Sequence, residues 1–156
     1  MRAARRANVL ALAALLAATA GCSTTEPGAR MELTGHGIAD LQNVTLTLDQ
    51  VRIQHEDGDR SPTIADIPDR PDVDLATANH TLLGRASLPG EAGELWIVIA
   101  VSAQDAKGAP VAWTQTVHVA SVTASDVSPT YVIDASVLRR GSFEPIYSLD
   151  VSVAPA

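Results

Sequence analysis

An alternation of apolar and polar residues with a period of two runs through most of the chain after residue 31. Residues 111–119, 131–137 and 147–153 carry most of their larger apolar side chains at odd positions and mostly smaller or polar ones at even positions. Such alternation is typical of strands with one buried face. Residues 95–101, LWIVIAV, are apolar without a break. This run predicts a central strand that is covered on both faces.

The stretch VTLTLDQVRIQH, residues 44–55, changes phase part-way along. Its apolar residues occupy even positions up to Leu48 and odd positions from Val51 onward. One extra residue near Asp49-Gln50 would return both halves to the same face, which predicts a β-bulge there. The alternative is two separate strands with a turn at the same dipeptide.

Turn-forming residues separate the alternating stretches, for example Pro89-Gly90, Lys107-Gly108 and Arg140-Gly141. No segment beyond the first thirty residues has a sustained helical pattern, and the length of the chain suits one domain. The sequence therefore predicts an all-β fold, a single antiparallel sandwich or barrel, over residues 31–156.

The first residues have the organisation of a secretory signal. Arg2, Arg5 and Arg6 precede an apolar run that is too short to span a bilayer and that ends in small residues. The segment that follows, Thr19-Ala20-Gly21-Cys22, resembles the lipobox of bacterial lipoproteins. That resemblance implies a diacylglyceryl group on the sulfur of Cys22 and cleavage just before it.

We therefore expect a cleaved signal peptide over residues 1–21, then a lipidated Cys22 and a flexible tether over residues 22–30. The alternative is a free cysteine beside an ordinary signal-peptidase site. Two or three acyl chains on one residue anchor a protein stably, so the membrane is an expected partner. Ser23 resembles the residue that follows the cysteine in outer-membrane lipoproteins. The expected location is the extracytoplasmic side of the cell envelope, at the outer membrane where the cell has two.

The charge of the chain excludes one class of partner. Removing residues 1–21 takes away three of the eleven basic residues and no acidic one, so the formal net charge changes from −7 to −10. Nucleic-acid binding needs clustered Lys and Arg. Because Arg139-Arg140 is the only adjacent basic pair after the signal, we expect no nucleic-acid partner.

The sequence predicts no catalytic residue, no cofactor site and no metal site. There is no G-x-S-x-G motif, and no two histidines have the spacing that brings two imidazoles to one metal. We expect all four histidines to be solvated, and both tryptophans, which lie in apolar strand patterns, to be in the core. They are His36, His55, His80, His118, Trp96 and Trp113.

Many acidic residues lie between positions 56 and 74. Calcium prefers several oxygen ligands from a flexible loop, but the spacing here does not follow the EF-hand pattern. Arg60 and Arg70 also lie among the acids as counter-charges. We therefore expect these to be solvated loop acids and not a calcium site.

The order of segments resembles a family of bacterial envelope lipoproteins that is known only as a domain of unknown function. The matching stretches are NVTLTLDQVRIQH, then DVDLATANHTLLGRASLPGEAGELWIVIAV, then TYVIDASV, within about residues 41–138. The resemblance implies an immunoglobulin-like or prealbumin-like β-sandwich and supplies no activity. A weaker resemblance is to small envelope lipoproteins of the YscW type, which assist the assembly of secretion systems.

Two functions are compatible with these features. The first is a lipid-anchored, non-catalytic β-sandwich that binds or scaffolds an envelope protein or glycan. The second is an enzyme or ligand-binding domain that acts on an envelope polysaccharide or peptide. The second would be favoured if Trp113, His55, His80 and the acids of residues 56–74 met in one cleft.

Overall fold

The computed structural model describes residues 28–58, 60–88 and 90–156. Within these residues the chain forms nine strands and one short 3₁₀ turn, Leu75–Thr77. The strands are β1 (Gly28–Gly37), β2 (Gln42–Gln54), β3 (Thr63–Ala65), β4 (Val73–Asp74), β5 (Thr81–Ser87), β6 (Gly93–Gln104), β7 (Pro110–Val122), β8 (Thr130–Arg140) and β9 (Ile146–Pro155).

The strands form two sheets that pack face to face, which confirms the predicted all-β sandwich. One sheet has the order β5-β1-β8-β9. The other has the order β3-β2-β6-β7, with β4 paired to the same edge of β2 as β3. The pairs are antiparallel except β1 with β8, which is parallel.

The strand order can be compared with one of the two sandwich types that the family resemblance implied. In the immunoglobulin arrangement the first two strands belong to one sheet. Here β1 and β2 lie in opposite sheets. The observed order therefore differs from the immunoglobulin arrangement.

The core lies between the sheets and is built from the alternating residues. In β6 the odd-numbered Leu95, Ile97 and Ile99 are fully buried. The strand is central, between β2 and β7, as predicted. Its even-numbered residues, such as Trp96 and Val98, face outward and are only half-buried. The prediction of a strand covered on both faces is therefore wrong, because the apolar run supplies an inner face and a partly solvated outer one.

The predicted bulge is present in β2, which is one continuous strand. Leu48 pairs with Ile99 and Gln50 pairs with Val98, so Asp49 is the additional residue. Leu48 before the bulge and Val51 after it are both fully buried. One extra residue thus keeps both halves of a 13-residue strand facing the core.

The first strand begins earlier than the sequence indicated. Residues 28–30 were assigned to the tether, but they belong to β1, and Ala29 is fully buried. Their strand conformation comes from pairing with β5 and β8, which are far along the chain. The predicted signal peptide and Cys22 lie outside the described residues. In the described part of the chain, no helix is long and apolar enough to cross a bilayer.

The bulge leads to a prediction about deletions in β2. Deleting Asp49 removes only the extra residue, so Leu48 and Val51 keep their inward orientation. Deleting Thr47 instead turns Leu46 outward, which should lower the free energy of unfolding by about 2–5 kcal/mol, the usual cost of a lost buried leucine. We expect Asp49 deletion to cost less than about half of that. Urea denaturation of the two variants checks the order, and equal losses would contradict it.

Candidate functional site

The largest exposed apolar side chains cluster at the hairpin that joins β8 to β9. We call residues 138–146 the hairpin tip. Phe143, the only phenylalanine of the chain, is 99% exposed, and Ile146 is 64% exposed. Leu138, 38% exposed, is on the same sheet face as Ile146, two residue pairs away. A concentration of exposed apolar side chains marks an interaction surface.

The shape of the hairpin tip depends on Gly141. Its φ is +94°, a conformation that side-chain-bearing residues rarely adopt. A Cβ atom at this position would also collide with the main-chain oxygen of Glu144. The close approach of these two residues turns the chain sharply and leaves Phe143 projecting from the bend.

Polar contacts fasten the base of the hairpin to the rest of the sandwich. Arg139 Nη1 donates to Asp40 Oδ2 at 2.7 Å. Burial, together with a hydrogen bond to the Asp40 carboxylate, raises the pKa of Tyr147. The Tyr147 ring also stacks on Trp113 of β7, with ring centroids 6.2 Å apart and an interplanar angle of 19°. The tip therefore stands on a fixed base.

A second contact joins the two sheets beside this base. Gln115 of β7 donates from Nε2 to the Leu149 carbonyl oxygen at 2.6 Å, and its Oε1 accepts from Leu149 N at 2.8 Å. Leu149 belongs to β9, in the other sheet. One side-chain amide thus satisfies both main-chain groups of a residue on an edge strand, as a neighbouring strand would.

The hairpin tip lies at the end of the sandwich opposite to the start of the first strand. The pairing of β1 with β8 is parallel, with Arg30 beside Thr130. The chain therefore enters the sandwich where β8 begins, and the tip follows the point where β8 ends. The two features lie a full strand length apart.

His55 takes part in a different polar cluster. It is 7% exposed, so the prediction of a solvated side chain is wrong for this histidine. Its Nε2 lies 2.8 Å from Thr63 Oγ1 and 3.1 Å from Glu91 Oε2, and Thr63 Oγ1 donates to the same carboxylate oxygen at 2.9 Å. In a catalytic triad the hydroxyl and the carboxylate bind opposite ring nitrogens. Here both bind Nε2, so the cluster connects two loops without forming a relay.

Another side-chain cluster lies on the outer face of the second sheet, which contains β2, β6 and β7. It consists of Glu94, Trp96, His118 and Ser121. Glu94 accepts from Ser121 Oγ at 2.7 Å and lies 2.6 Å from His118 Nε2. Both hydrogen bonds lower the pKa of Glu94, and the one from Ser121 contributes most to the shift. The His118 ring meets Trp96 edge-on, with centroids 4.9 Å apart. The prediction that Trp96 is a core residue is therefore wrong, whereas Trp113 is half-buried and packs against the core.

Trp113, His55 and His80, which an enzyme or ligand-binding domain would need in one cleft, do not lie together. His80 Nδ1 lies 3.4 Å from Glu32 on β1, His55 lies beside Thr63, and Trp113 stacks on Tyr147. His36, like His80 and His118, is exposed as predicted, and its Nε2 lies 3.1 Å from Asp134.

Several acids between residues 56 and 74 have structural contacts. Asp74 accepts from Ala76 N at 2.9 Å and so caps the 3₁₀ turn, and Asp72 accepts from Thr47 Oγ1 at 2.5 Å. Asp59 lies outside the described residues. In the part of the chain that the structure describes, no group of three or more His, Cys, Asp or Glu residues is placed to hold a metal ion.

Comparison of this chain with family models, with curated proteins and with solved structures finds no match.

The hairpin tip is not among the sites predicted from the sequence. The available signal was a large aromatic residue between Gly141 and Pro145, outside any alternating stretch. Such a residue has no neighbouring apolar positions with which to form a buried face. Its exposure could therefore have been inferred, but its distance from the start of β1 could not.

The conformation of Gly141 predicts that a methyl group added at this position destabilises the fold. Gly108 also has a positive φ, +80°, but a Cβ atom there would meet nothing within 4 Å. Gly108→Ala should therefore cost only the backbone strain, about 1–2 kcal/mol. Gly141→Ala adds the collision with Glu144 and should lower the free energy of unfolding by more. Chemical denaturation of both variants checks this, and a smaller loss at Gly141 would contradict it.

The lowered pKa of Glu94 predicts how stability depends on pH. A carboxyl group whose pKa is lower in the folded state stabilises the protein above its ordinary pKa of 4.5, and this stabilisation is lost as pH falls through the lowered value. Wild type should therefore melt above Glu94→Gln at pH 6, and the difference should shrink below pH 4.5. Ser121→Ala should show a smaller effect with the same pH dependence. A difference that stays constant down to pH 3 would contradict this account.

Proposed function

We propose that this chain is a lipid-anchored protein of the cell envelope, and that its non-catalytic β-sandwich binds an envelope protein through the hairpin tip. The resemblance of residues 19–22 to a lipobox supports the anchor at Cys22. The resemblances to envelope lipoproteins of unknown function and of the YscW type support the same compartment. The membrane in question is the outer one where the cell has two.

The observation that carries the proposal is the separation of the hairpin tip from the point where the chain enters the sandwich. Five residues lie between Cys22 and Gly28, the first residue of β1, so six Cα–Cα steps join the two. A segment of that length spans at most roughly 20 Å. An acylated Cys22 would therefore hold the Gly28 end of the sandwich near the bilayer. The tip would be presented away from it, by roughly the 35 Å length of the 11-residue β8.

The chemistry of the tip suggests the kind of surface that it fits. Phe143 projects from a fixed base, and rigid aromatic side chains that fill a pocket are common anchors of protein interfaces. Arg139 is already paired with Asp40, whereas Arg140 is exposed. The proposed partner therefore offers an apolar pocket with carboxylates at its rim.

The non-catalytic part of the proposal is supported by the arrangement of the polar clusters. The hydroxyl and the carboxylate of the His55 cluster share one ring nitrogen. On the outer sheet face Glu94 lies between Ser121 and His118, so that Ser121 is not bonded to the imidazole, which activates the hydroxyl in a Ser-His-Asp triad.

The anchor predicts a change in membrane association. Replacing Cys22 with Ser removes the sulfur that would be acylated, so the protein should move from the detergent phase to the aqueous phase or accumulate as an uncleaved precursor. Detergent-phase partitioning and mass measurement of both forms check this. A cleaved Cys22→Ser protein that partitions as wild type does would refute the lipoprotein assignment.

The hairpin tip predicts a position-specific crosslink. A photoreactive residue in place of Phe143, introduced into the full chain in intact cells, should give one discrete adduct. The same residue in place of Val127, which is 58% exposed and lies just before β8, is the matched control and should give none. Arg140→Glu should weaken the adduct at position 143, because it reverses the charge beside the anchor. Equal crosslinking from both positions would contradict the proposal.

A further inference from the structure

A row of four exposed or half-exposed side chains crosses the outer face of the second sheet from one edge to the other. Ile64 of β3 pairs with Arg52 of β2, Arg52 pairs with Trp96 of β6, and Trp96 pairs with His118 of β7. Neighbouring strands lie about 4.8 Å apart, so the row is about 14 Å long. It combines one apolar group, one cation, one indole and one imidazole.

Arg52 is the unusual member of this row. Its Nε atom is buried and has no hydrogen-bond partner. The ion pairs and hydrogen bonds formed by the described residues do not include its guanidinium group. A guanidinium group without partners is a donor fork that suits a carboxylate or phosphate. The terminal amino groups of Arg52 also have no hydrogen-bond partner and are not fully buried, so an anionic acceptor can reach them from the outer face of the sheet.

The neighbours of Arg52 do not compete for it. Glu94 lies on the same face, two residue pairs along, but its carboxylate is bonded to His118 and Ser121. This arrangement also holds the imidazole in T-shaped contact with the Trp96 ring. The strand register shifts by one residue between Leu95 and Trp96, and bulges of this kind re-aim side chains next to binding sites.

We infer that this row binds an acidic saccharide, with the sugar's carboxylate on Arg52, a sugar ring against Trp96, and hydroxyl groups hydrogen-bonded to His118. The row carries one arginine on a chain of net charge −7, which disfavours nucleic acid, whose phosphates need several cations. The row is one residue wide and about 14 Å long, which suits a short saccharide and is far smaller than a stable protein interface of roughly 800 Å² per partner. The inference uses neither Cys22 nor the hairpin tip, so it stands apart from the proposed function.

Calorimetric titration of the full-length chain in detergent tests the inference. The probes are tetragalacturonate and the uncharged maltotetraose. We expect binding of the acidic probe only, and a loss of about tenfold or more with Arg52→Gln, because a hydrogen bond to a charged group is removed. Trp96→Phe should also weaken binding. Arg85→Gln, which removes an exposed arginine from β5 in the other sheet, should leave it unchanged.

Two further measurements keep the test decisive. Near-ultraviolet circular dichroism of Arg52→Gln should match that of wild type, which separates lost binding from lost structure. Trp113→Phe should retain affinity, because Trp113 lies against Tyr147 and not in the row. Equal binding of both saccharides, full affinity in Arg52→Gln, or no binding of either saccharide would overturn the inference. None of these outcomes would change the expected crosslink at Phe143.

Discussion

Asp49, the unpaired residue in the middle of β2, sets the phase of the strand on which the second sheet is built. β2 pairs with β3 and β4 along one edge and with β6 along the other. Because side chains alternate with a period of two, a straight strand could bury either Leu48 or Val51, but not both. The bulge places both residues in the core. Because Arg52 directly follows the inward-facing Val51, its side chain points outward, beside Trp96. The core and the polar face of this sheet therefore depend on the same extra residue.

The parallel pairing of β1 with β8 determines which parts of the molecule are far apart. It places Gly28 at the end where β8 begins and the hairpin tip at the other. The tip contributes little to the core, so Phe143 is free to serve an interaction. The contacts of Tyr147 and Arg139 with Asp40 give it a rigid base nonetheless. A lipid anchor a few residues before Gly28 would turn this separation into an orientation relative to the membrane.

Side chains complete the hydrogen bonding where strands end or lie at an edge. Gln115 takes the place of a neighbouring strand for Leu149, and the buried His55 connects the loop before β3 to the loop before β6 through Thr63 and Glu91. Such groups stabilise the fold only when their partners are present, because a buried polar group without a partner destabilises it. Among the described residues two buried side-chain nitrogens have no such partner, Arg52 Nε and Trp113 Nε1, and only the first belongs to a side chain on the outer face.

Alternation along the sequence was sufficient to predict an all-β sandwich, most of its strands and the bulge at Asp49, because side-chain direction in a strand is a local property. The same alternation could not predict that His55 is buried or that Trp96 faces outward. Those outcomes depend on residues such as Glu91 and His118, which lie far along the chain. The hairpin tip was not predicted either, since its position relative to Gly28 follows from the pairing of β1 with β8. Local pattern determines which residues share a face, whereas only tertiary pairing decides what each face meets, because distant strands are brought together by the burial of the whole core.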